Sequence, residues 1–198
     1  GVNLNAKDEG NEINAEGTGN SIIQNLGNTS VDASVVGVYT DAQFNFSLQH
    51  TEIKNIVCSS LSLLNGISCS GDSLLISDNM VHDITSPTNI YGIQVYPFNN
   101  AIVSNNVVHT LSCNATTNTG SIYGITTAAT MGLTDMGSIT IDRNKVYHCY
   151  NSGIGTSQTV GMRIGKGQPK VFNNMISDLR VGASGTSGGV KGIIVTSI

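Results

Sequence analysis

A ten-residue phrase that occurs twice constrains this chain more than any other feature of its sequence. Residues 75–84 read LISDNMVHDI, and residues 102–111 read IVSNNVVHTL. Both copies carry apolar residues and an asparagine at the same offsets, and each is followed by a segment that contains Gly-Ile. This similarity predicts a structural repeat, which has to be identified before any other element is assigned.

The repeat extends over most of the chain when two columns of residues are aligned. The asparagine column consists of Ser21, Thr51, Asn79, Asn106, Asn144 and Asn174, whose members are 27 to 38 residues apart. The glycine column consists of Gly37, Gly66, Gly92, Gly124, Gly161 and Gly192. Because both columns stay in phase over six copies, we expect one domain over residues 1–198, with a polar lead-in at 1–20 and about six coils at 21–198.

Each copy of the repeat predicts three short β-strands. Apolar and polar residues alternate over short runs, which is the period of a strand, and Gly, Asn, Ser and Thr, which favour turns, separate the runs. One such unit cannot bury its apolar face alone, but it can when it is stacked on copies of itself at ~4.8 Å per strand. The sequence therefore predicts an all-β fold, a single-stranded right-handed parallel β-helix. An antiparallel sandwich would explain the strands but not the register of the two columns.

The two columns have different predicted roles. Asparagine tolerates left-handed backbone angles at a bend, and its amide both donates and accepts hydrogen bonds. Successive asparagines are therefore expected to bond to one another along the stack. Glycine is expected where the chain enters a strand at a tight corner.

Composition excludes two classes of partner. The net charge is −4 and only nine residues are Lys or Arg. Binding to nucleic-acid phosphates needs clustered basic side chains, so we expect no nucleic-acid partner. No apolar run reaches the length of about 18 residues that a helical span needs, so we expect no membrane span.

The two ends of the chain carry no predicted capping element. A stacked fold exposes an apolar end and unpaired strand edges unless something covers them. The chain also begins with Gly1 and not with Met. These features predict a fragment of a longer protein, with end-to-end contacts to further β-helix coils or to other chains.

The four cysteines have two interpretations. Cys58, Cys69, Cys113 and Cys149 show no CxxC spacing, which argues against a zinc ribbon. Two disulfides, Cys58–Cys69 and Cys113–Cys149, would suit secretion. Four buried thiols that act as small apolar residues are the other interpretation.

An outward row of side chains lies three places after the asparagine column. Alignment brings His82 and His109 into adjacent coils ~4.8 Å apart, with Tyr147 one coil further and with Asp83 and His148 one place along the chain. Such a cluster can perform general acid–base catalysis or hold a divalent metal. The alternative is a polar stripe on a solvated sheet face, and no other cofactor is indicated.

A second outward row follows the glycine column. Gln94 and Arg163 lie two places after a glycine, and Tyr91 and Tyr123 lie one place before one. Aromatic and polar side chains on a flat surface suit sugar rings, so this row predicts a face that binds a polysaccharide or a cell-surface glycan. The alternative is that these are ordinary strand residues.

The carboxylates are not grouped as polysaccharide cleavage needs. A glycoside hydrolase places two carboxyl groups on either side of the scissile bond, whereas Asp72, Asp78, Asp142 and Asp178 are scattered along this chain. The sequence therefore predicts no complete lyase or hydrolase site and argues against an enzyme.

Residues 76–81 and 102–108, each paired with a Gly-Ile strand, resemble the right-handed β-helix repeats of the pectin-lyase-like superfamily. They look most like the repeats of long secreted and cell-surface proteins of bacteria. The resemblance covers residues ~20–198 and implies an extracellular or cell-surface location. Members include polysaccharide lyases, glycoside hydrolases, epimerases, phage tailspikes and adhesins, and none of their catalytic motifs can be placed on a residue of this chain.

The sequence thus predicts an extracellular structural or adhesive scaffold that presents loops and binds carbohydrate or a cell surface. One alternative is a fragment of a polysaccharide lyase or glycoside hydrolase with its site on the row of His82, His109 and His148. Another alternative is a self-associating filament subunit.

Overall fold

The computed structural model describes residues 11–13, 20–28, 34–59, 63–115, 120–128, 137–153, 156–165, 168–182 and 188–196. Of the predicted lead-in, residues 1–10 and 14–19 lie outside this part of the chain. The described residues form strands and turns, and no helix among them is long and apolar enough to span a membrane. In chain order the strands are β1 (Glu12–Ile13), β2 (Ser21–Gln24), β3 (Gly27–Asn28), β4 (Val35–Phe44), β5 (Ser47–Gln49), β6 (Thr51–Cys58), β7 (Leu64–Asp72), β8 (Leu74–Ser77), β9 (Met80–Ser86), β10 (Ile90–Pro97), β11 (Ala101–Ser104), β12 (Val107–Cys113), β13 (Ser121–Thr127), β14 (Ser138–Asp142), β15 (Lys145–Asn151), β16 (Gln158–Ile164), β17 (Gln168–Phe172), β18 (Met175–Ile176), β19 (Leu179–Val181) and β20 (Gly189–Val195).

The strands form three parallel sheets, which we call A, B and C. Sheet A contains β4, β7, β10, β13, β16 and β20, in that spatial order. Sheet B contains β1, β5, β8, β11, β14 and β17, and sheet C contains β2, β6, β9, β12, β15 and β18, with β3 beside β6 and β19 beside β15. Neighbours in each sheet are one coil apart in the sequence, which is the topology of a parallel β-solenoid of about five turns. The predicted all-β, parallel β-helical fold is confirmed, with about five turns where about six were expected.

Aliphatic side chains fill the space between the three sheets. Ile67, Ile93 and Ile125 are register partners in three successive coils, and each is fully buried. Burial of a side chain of this size contributes about 1.5–3 kcal/mol. Because like residues lie above one another, each coil is stabilised mainly through its two neighbours.

Asn79, Asn106, Asn144 and Asn174 form a continuous hydrogen-bonded ladder inside the solenoid. The Nδ2 of each of the first three donates to Oδ1 of the next at 3.0 Å. The same Oδ1 atoms accept the backbone N–H of the preceding asparagine at 2.9–3.0 Å. Nδ2 also donates to a backbone carbonyl of the preceding coil, for example from Asn79 to Leu48 at 2.9 Å. The buried amides therefore have the partners that buried polar groups need.

The left-handed backbone conformation lies one residue before this ladder and not on it. Asp78, Asn105, Arg143 and Asn173 have φ between 55° and 58°, whereas the ladder asparagines lie outside the positive-φ region. The predicted role of asparagine as the bend residue is therefore wrong. The outward residue before it makes the bend, and the asparagine amide fills the inside of the turn.

A second left-handed column bends the strands of sheet C. Asp83, Thr110 and His148 have φ of 54°, 52° and 52°, and the pairing register of β9, β12 and β15 passes over them. The bend places the side chain of each of these residues beside the outward side chain that precedes it. Residues that are adjacent in sequence can therefore act together on the outer face of sheet C.

The glycine column lies inside the strands of sheet A and not at their entry. A Cβ on Gly92 would lie 2.5 Å from Val108 Cγ1, and one on Gly124 would lie 2.4 Å from Val146 Cγ1. The members crowded in this way are Gly37, Gly66, Gly92, Gly124 and Gly161. Gly192, in the last coil, has no atom within 4 Å of that position. The predicted corner is thus corrected: glycine is needed here because the backbone closely approaches core side chains of sheet C.

All four cysteines are buried thiols and form no disulfide, so the alternative of small core residues describes the structure and the two disulfides do not. Cys58 lies in β6 of sheet C and Cys69 in β7 of sheet A. Cys113 pairs in register with Asn151 and not with Cys149. Burial raises the pKa of Cys149 to about 12 and that of Cys69 to about 11, so both thiols stay protonated at neutral pH.

Candidate functional site

Three ring side chains stack on the outer face of sheet C, and we call them the ring row. His82 of β9, His109 of β12 and Tyr147 of β15 are register partners in successive coils. The ring centroids of His82 and His109 are 4.7 Å apart with the planes inclined by 10°, and those of His109 and Tyr147 are 5.0 Å apart and inclined by 8°. The stack forms because the spacing of adjacent strands, ~4.8 Å, is close to the spacing of stacked rings.

Carboxylates hold both ring nitrogens of His82. Nδ1 lies 2.9 Å from Asp83 Oδ2, and Nε2 lies 3.0 Å from Glu52 Oε1. Lys54 Nζ donates to the other oxygen of Glu52 at 2.9 Å, and the hydrogen bonds from Lys54 and His82 lower the pKa of the Glu52 carboxyl. Since ionised carboxylates only accept hydrogen bonds, both nitrogens of His82 must donate. With both nitrogens directed at carboxylates, His82 offers no free lone pair to a metal or to a proton.

His109, unlike His82, has a ring nitrogen that faces no carboxylate in the described part of the chain. Its Nδ1 is hydrogen-bonded to Thr110 Oγ1 at 2.9 Å, and the described residues offer its Nε2 no hydrogen bond. Burial, and then the charge of His82, lower the pKa of His109. The ring is therefore neutral at neutral pH, and it is the member of the ring row that can accept a proton from a ligand.

His148 stands at the end of the ring row. Its ring packs edge-on against Tyr147, with centroids 5.0 Å apart, and its Nε2 lies 3.2 Å from Asp178 Oδ2. Arg180 Nε donates to the other oxygen of Asp178 at 2.6 Å. His148, Asp178 and Arg180 line a cleft of about 160 Å³ together with Cys149 and Tyr150. The Cys149 thiol is buried and strongly protonated, so this Cys, His and Asp do not form a nucleophilic triad.

The predicted metal site has no ligand set in the part of the chain that the structure describes. No group of three or more His, Cys, Asp or Glu side chains there is arranged to hold a metal ion. The reason at the ring row is that the two nitrogens of His82 already face carboxylates.

The predicted tyrosine face lies on the outside of sheet A. Tyr91 and Tyr123 stack with centroids 5.0 Å apart and planes inclined by 12°, and the Arg163 guanidinium lies 5.6 Å from the Tyr123 centroid. Asn65 is the register partner of Tyr91 on its other side. The ring faces are therefore turned toward neighbours along the stack. A sugar can therefore contact the edges and hydroxyl groups of these rings, but it cannot stack on an open ring face.

Arg163 is the one arginine without a carboxylate partner among the described residues. Arg143 pairs with Asp142 and Arg180 with Asp178, both at 2.6 Å. The exposed guanidinium of Arg163 lies against an aromatic ring, which orients its donors. Such a group suits the carboxylate or hydroxyl oxygens of a ligand.

Two polar side chains of the same face are almost inaccessible. Gln94 is 8% exposed and Asn65 is 7% exposed, although both point away from the core. A ligand can contact only a small part of Gln94, which weakens the predicted role of that residue. The Oδ1 of Asn65 is buried and has no hydrogen-bond partner among the described residues, so a surface ligand does not reach it.

A groove of about 270 Å³ at the corner between sheets B and C was not anticipated from the sequence. It follows the left-handed turn column and is lined by Asn20, His50, Thr51, Glu52, Asp78, Asn79, Met80, Asn105 and Val107. Glu52 belongs to this groove and also bonds to His82. Sequence alignment missed that bond because the register partner of Glu52 is Met80, and the carboxylate reaches His82 diagonally. The sequence did contain one indication of this bond: Glu52 and Lys54 are two residues apart, which places both on the same face of a strand.

No family model, no curated protein and no solved structure matches this chain.

Proposed function

We propose that the chain is a rigid β-helical scaffold of a secreted or cell-surface protein, and that the outer face of sheet A binds carbohydrate. We infer that its coils are of the pectin-lyase-like type, which the repeated phrases at 76–81 and 102–108 resemble. The observation that carries the proposal is the Arg163 guanidinium, which lies against the tyrosine stack and has no carboxylate partner in the described part of the chain, whereas Arg143 and Arg180 are ion-paired.

The inner ladder supports the scaffold role. Three parallel sheets tie the coils together, and asparagine amides also link the coils from Thr51 to Asn174. Polar groups on the outside are also bonded along the stack, as Glu52 is to His82 in the next coil. A surface whose groups are bonded to one another keeps its shape, which suits the presentation of loops and ligand contacts.

The accessible chemistry of sheet A supports a carbohydrate ligand. Tyr91 and Tyr123 turn ring edges outward beside the guanidinium of Arg163. Sugar hydroxyls and uronic carboxylates are the groups that such donors and acceptors bind.

The buried thiols are compatible with the proposed extracellular location. A thiol reacts with oxidants as the thiolate, and burial raises the pKa of Cys69 and Cys149 far above neutrality. The chain can therefore keep unpaired cysteines in an oxidising environment. Peptide mapping of the secreted protein, taken from the medium of the cells that make it, would find these cysteines unmodified. Recovery of the protein only from cell lysate would contradict the location.

Titration calorimetry with neutral and acidic oligosaccharides tests the carbohydrate site. We expect Arg163→Gln to lower the affinity for the bound sugar at least about tenfold, because a charged hydrogen bond contributes ~1.5–3 kcal/mol. Arg143→Gln is the matched control, since that guanidinium is paired with Asp142. A wild-type chain that binds none of the oligosaccharides, or equal losses in the two variants, would refute the site.

A polysaccharide lyase or hydrolase fragment is the second candidate function. The neutral imidazole of His109, with Nε2 unbonded among the described residues, is the observation that favours it. New reducing ends after incubation with polysaccharides, lost in His109→Gln, would support this function. Absence of cleavage by the wild-type chain would exclude this candidate and leave the scaffold role as the proposed function.

A self-associating filament subunit is the third candidate, and the last described strand favours it. In β20, Val190 and Ile193 are each 49% exposed and Val195 is 68% exposed. These side chains and the outer edge of β20 would fit a further β-helical coil from a second copy. Sedimentation velocity over a range of concentrations would show growth that Ile193→Asp abolishes. A wild-type chain that stays monomeric throughout would exclude the filament.

A further inference from the structure

We propose that the ring row and His148 together form an acid-responsive charge switch on the outer face of sheet C. At neutral pH the imidazole charge of this face resides on His82, and mild acidification adds charge at His109 and His148. Three of the four histidines of the chain lie here. The switch does not rest on carbohydrate binding, which is assigned to sheet A.

The contacts around His82 favour the doubly protonated ring. The two nitrogens of His82 face Asp83 and Glu52 at 2.9 and 3.0 Å. Either carboxylate repels a nitrogen lone pair and attracts an N–H, so the doubly protonated ring fits this site. The side chain of His82 is only 12% exposed, which limits screening of these contacts by water.

The stack opposes a second charge at neutral pH. His109 lies 4.7 Å from the imidazolium of His82, in a nearly parallel plane. Protonation of His109 would place two cations face to face at this distance. His109 therefore takes up its second proton at a lower pH than an isolated histidine does.

His148 extends the charged face beyond the end of the ring row. Its side chain is 61% exposed, and its Nε2 lies 3.2 Å from Asp178 Oδ2, which favours a proton on that nitrogen. It contacts Tyr147 and not His109, so the tyrosine ring separates the two histidines. Through space, its charge still adds to burial and to the charge of His82 in lowering the pKa of His109.

The permanent charges around the row nearly balance. The acidic groups are Glu52, Asp83 and Asp178, and the basic groups are Lys54, Lys145 and Arg180. The remaining titratable groups on the strands packed beside β12 are Tyr147 and Tyr150 on the outer face and Cys113 and Cys149 in the core. Across the core, β10 and β13 contribute Tyr91, Tyr96 and Tyr123, which face outward from sheet A. Protonation of the histidines thus decides whether the face of sheet C is nearly neutral or cationic.

Imidazole NMR titration tests the coupling within the stack. We expect the midpoint of His109 to lie below about 6.5, the value of an unperturbed histidine. His82→Gln removes the neighbouring charge and should raise this midpoint by about half a unit or more. Tyr147→Phe is the control, because it keeps the ring stack and removes no charge. An equal midpoint of His109 in the wild type and His82→Gln would overturn the switch.

Retention on a sulfonate cation exchanger tests the change in surface charge. We expect retention to increase between about pH 7 and pH 5, and the double change His109→Gln and His148→Gln to remove most of that increase. His50→Gln is the matched control, because His50 lines the groove and lies off the row. Far-UV circular dichroism identifies any variant that has lost the fold. Equal losses in the double variant and in His50→Gln would refute the proposal.

Discussion

A single asparagine of the inner ladder serves two coils at once. Asn106 donates to Ile76 O and Asn144 Oδ1, and its own Oδ1 accepts from the backbone and side chain of Asn79. We expect Asn106→Ala to lower the free energy of unfolding by about 2–4 kcal/mol, because two buried donors of Asn79 lose their acceptor and two buried acceptors lose a donor. Urea unfolding followed by circular dichroism measures the change. Asn114→Ala, at an exposed site, should stay within about 0.5 kcal/mol, and an equal effect of both changes would contradict the ladder.

The glycine column provides a second test at the scale of one residue. A methyl group on Gly124 would lie 2.4 Å from Val146 Cγ1 and 2.6 Å from Gly161 O. We expect Gly124→Ala to destabilise the fold by about 1–3 kcal/mol through overpacking. Gly192→Ala should cost little, because nothing lies within 4 Å of the added atom. Similar urea midpoints for the two variants would show that close approach is not the reason for the column.

At the scale of the element, sheet C couples stability to pH. Hydrogen bonds from Lys54 and then His82 lower the pKa of Glu52, and burial and then His82 lower the pKa of His109. A group with a lowered pKa in the folded state contributes stability that is present above its unfolded value and is lost as the pH falls through the folded value. We therefore expect the urea midpoint to fall in two stages, the first below about pH 6.5 from His109 and the second below about pH 4.3 from Glu52.

Glu52→Gln separates these stages. The amide does not titrate, so the variant should lose much of the second stage and should keep the first one. Urea midpoints at a series of pH values measure both. Parallel profiles for the wild type and Glu52→Gln would show that this carboxyl does not contribute to the acid sensitivity.

The strands and the ladder could be predicted from the sequence because they depend on residue types that recur at one position. Asn79 and Asn106 mark the same place in their coils, and His82 and His109 follow at the same offset. The left-handed bends could not be found in this way, since residues as different as Asp78 and Arg143 adopt them. Three other features could not be predicted, because they depend on where side chains of one coil point relative to the next coil. They are the crowding at the glycines, the thiol state of the cysteines and the bond between Glu52 and His82. Those directions are not contained in the spacing of a repeat.

At the scale of the whole molecule, the core should protect all four thiols together. Cys58, Cys69, Cys113 and Cys149 are buried in the solenoid, so a thiol reagent should label the native protein only as coils open. We expect four reactive thiols in denaturant without reductant and almost none in the native state. Fewer than four in denaturant would reveal a disulfide, and rapid labelling of the native protein would show that the core is open.

The in-register stacking of the three sheets also bears on how a gene for such a protein can change. Each coil meets the same positions of its neighbours, for example Ile93 between Ile67 and Ile125. Duplication or deletion of one whole unit would join surfaces that already fit, whereas a partial unit would shift every later residue out of register. The length of the rod is therefore a trait that evolution can adjust in steps of one coil, ~4.8 Å each, without redesigning the remaining coils.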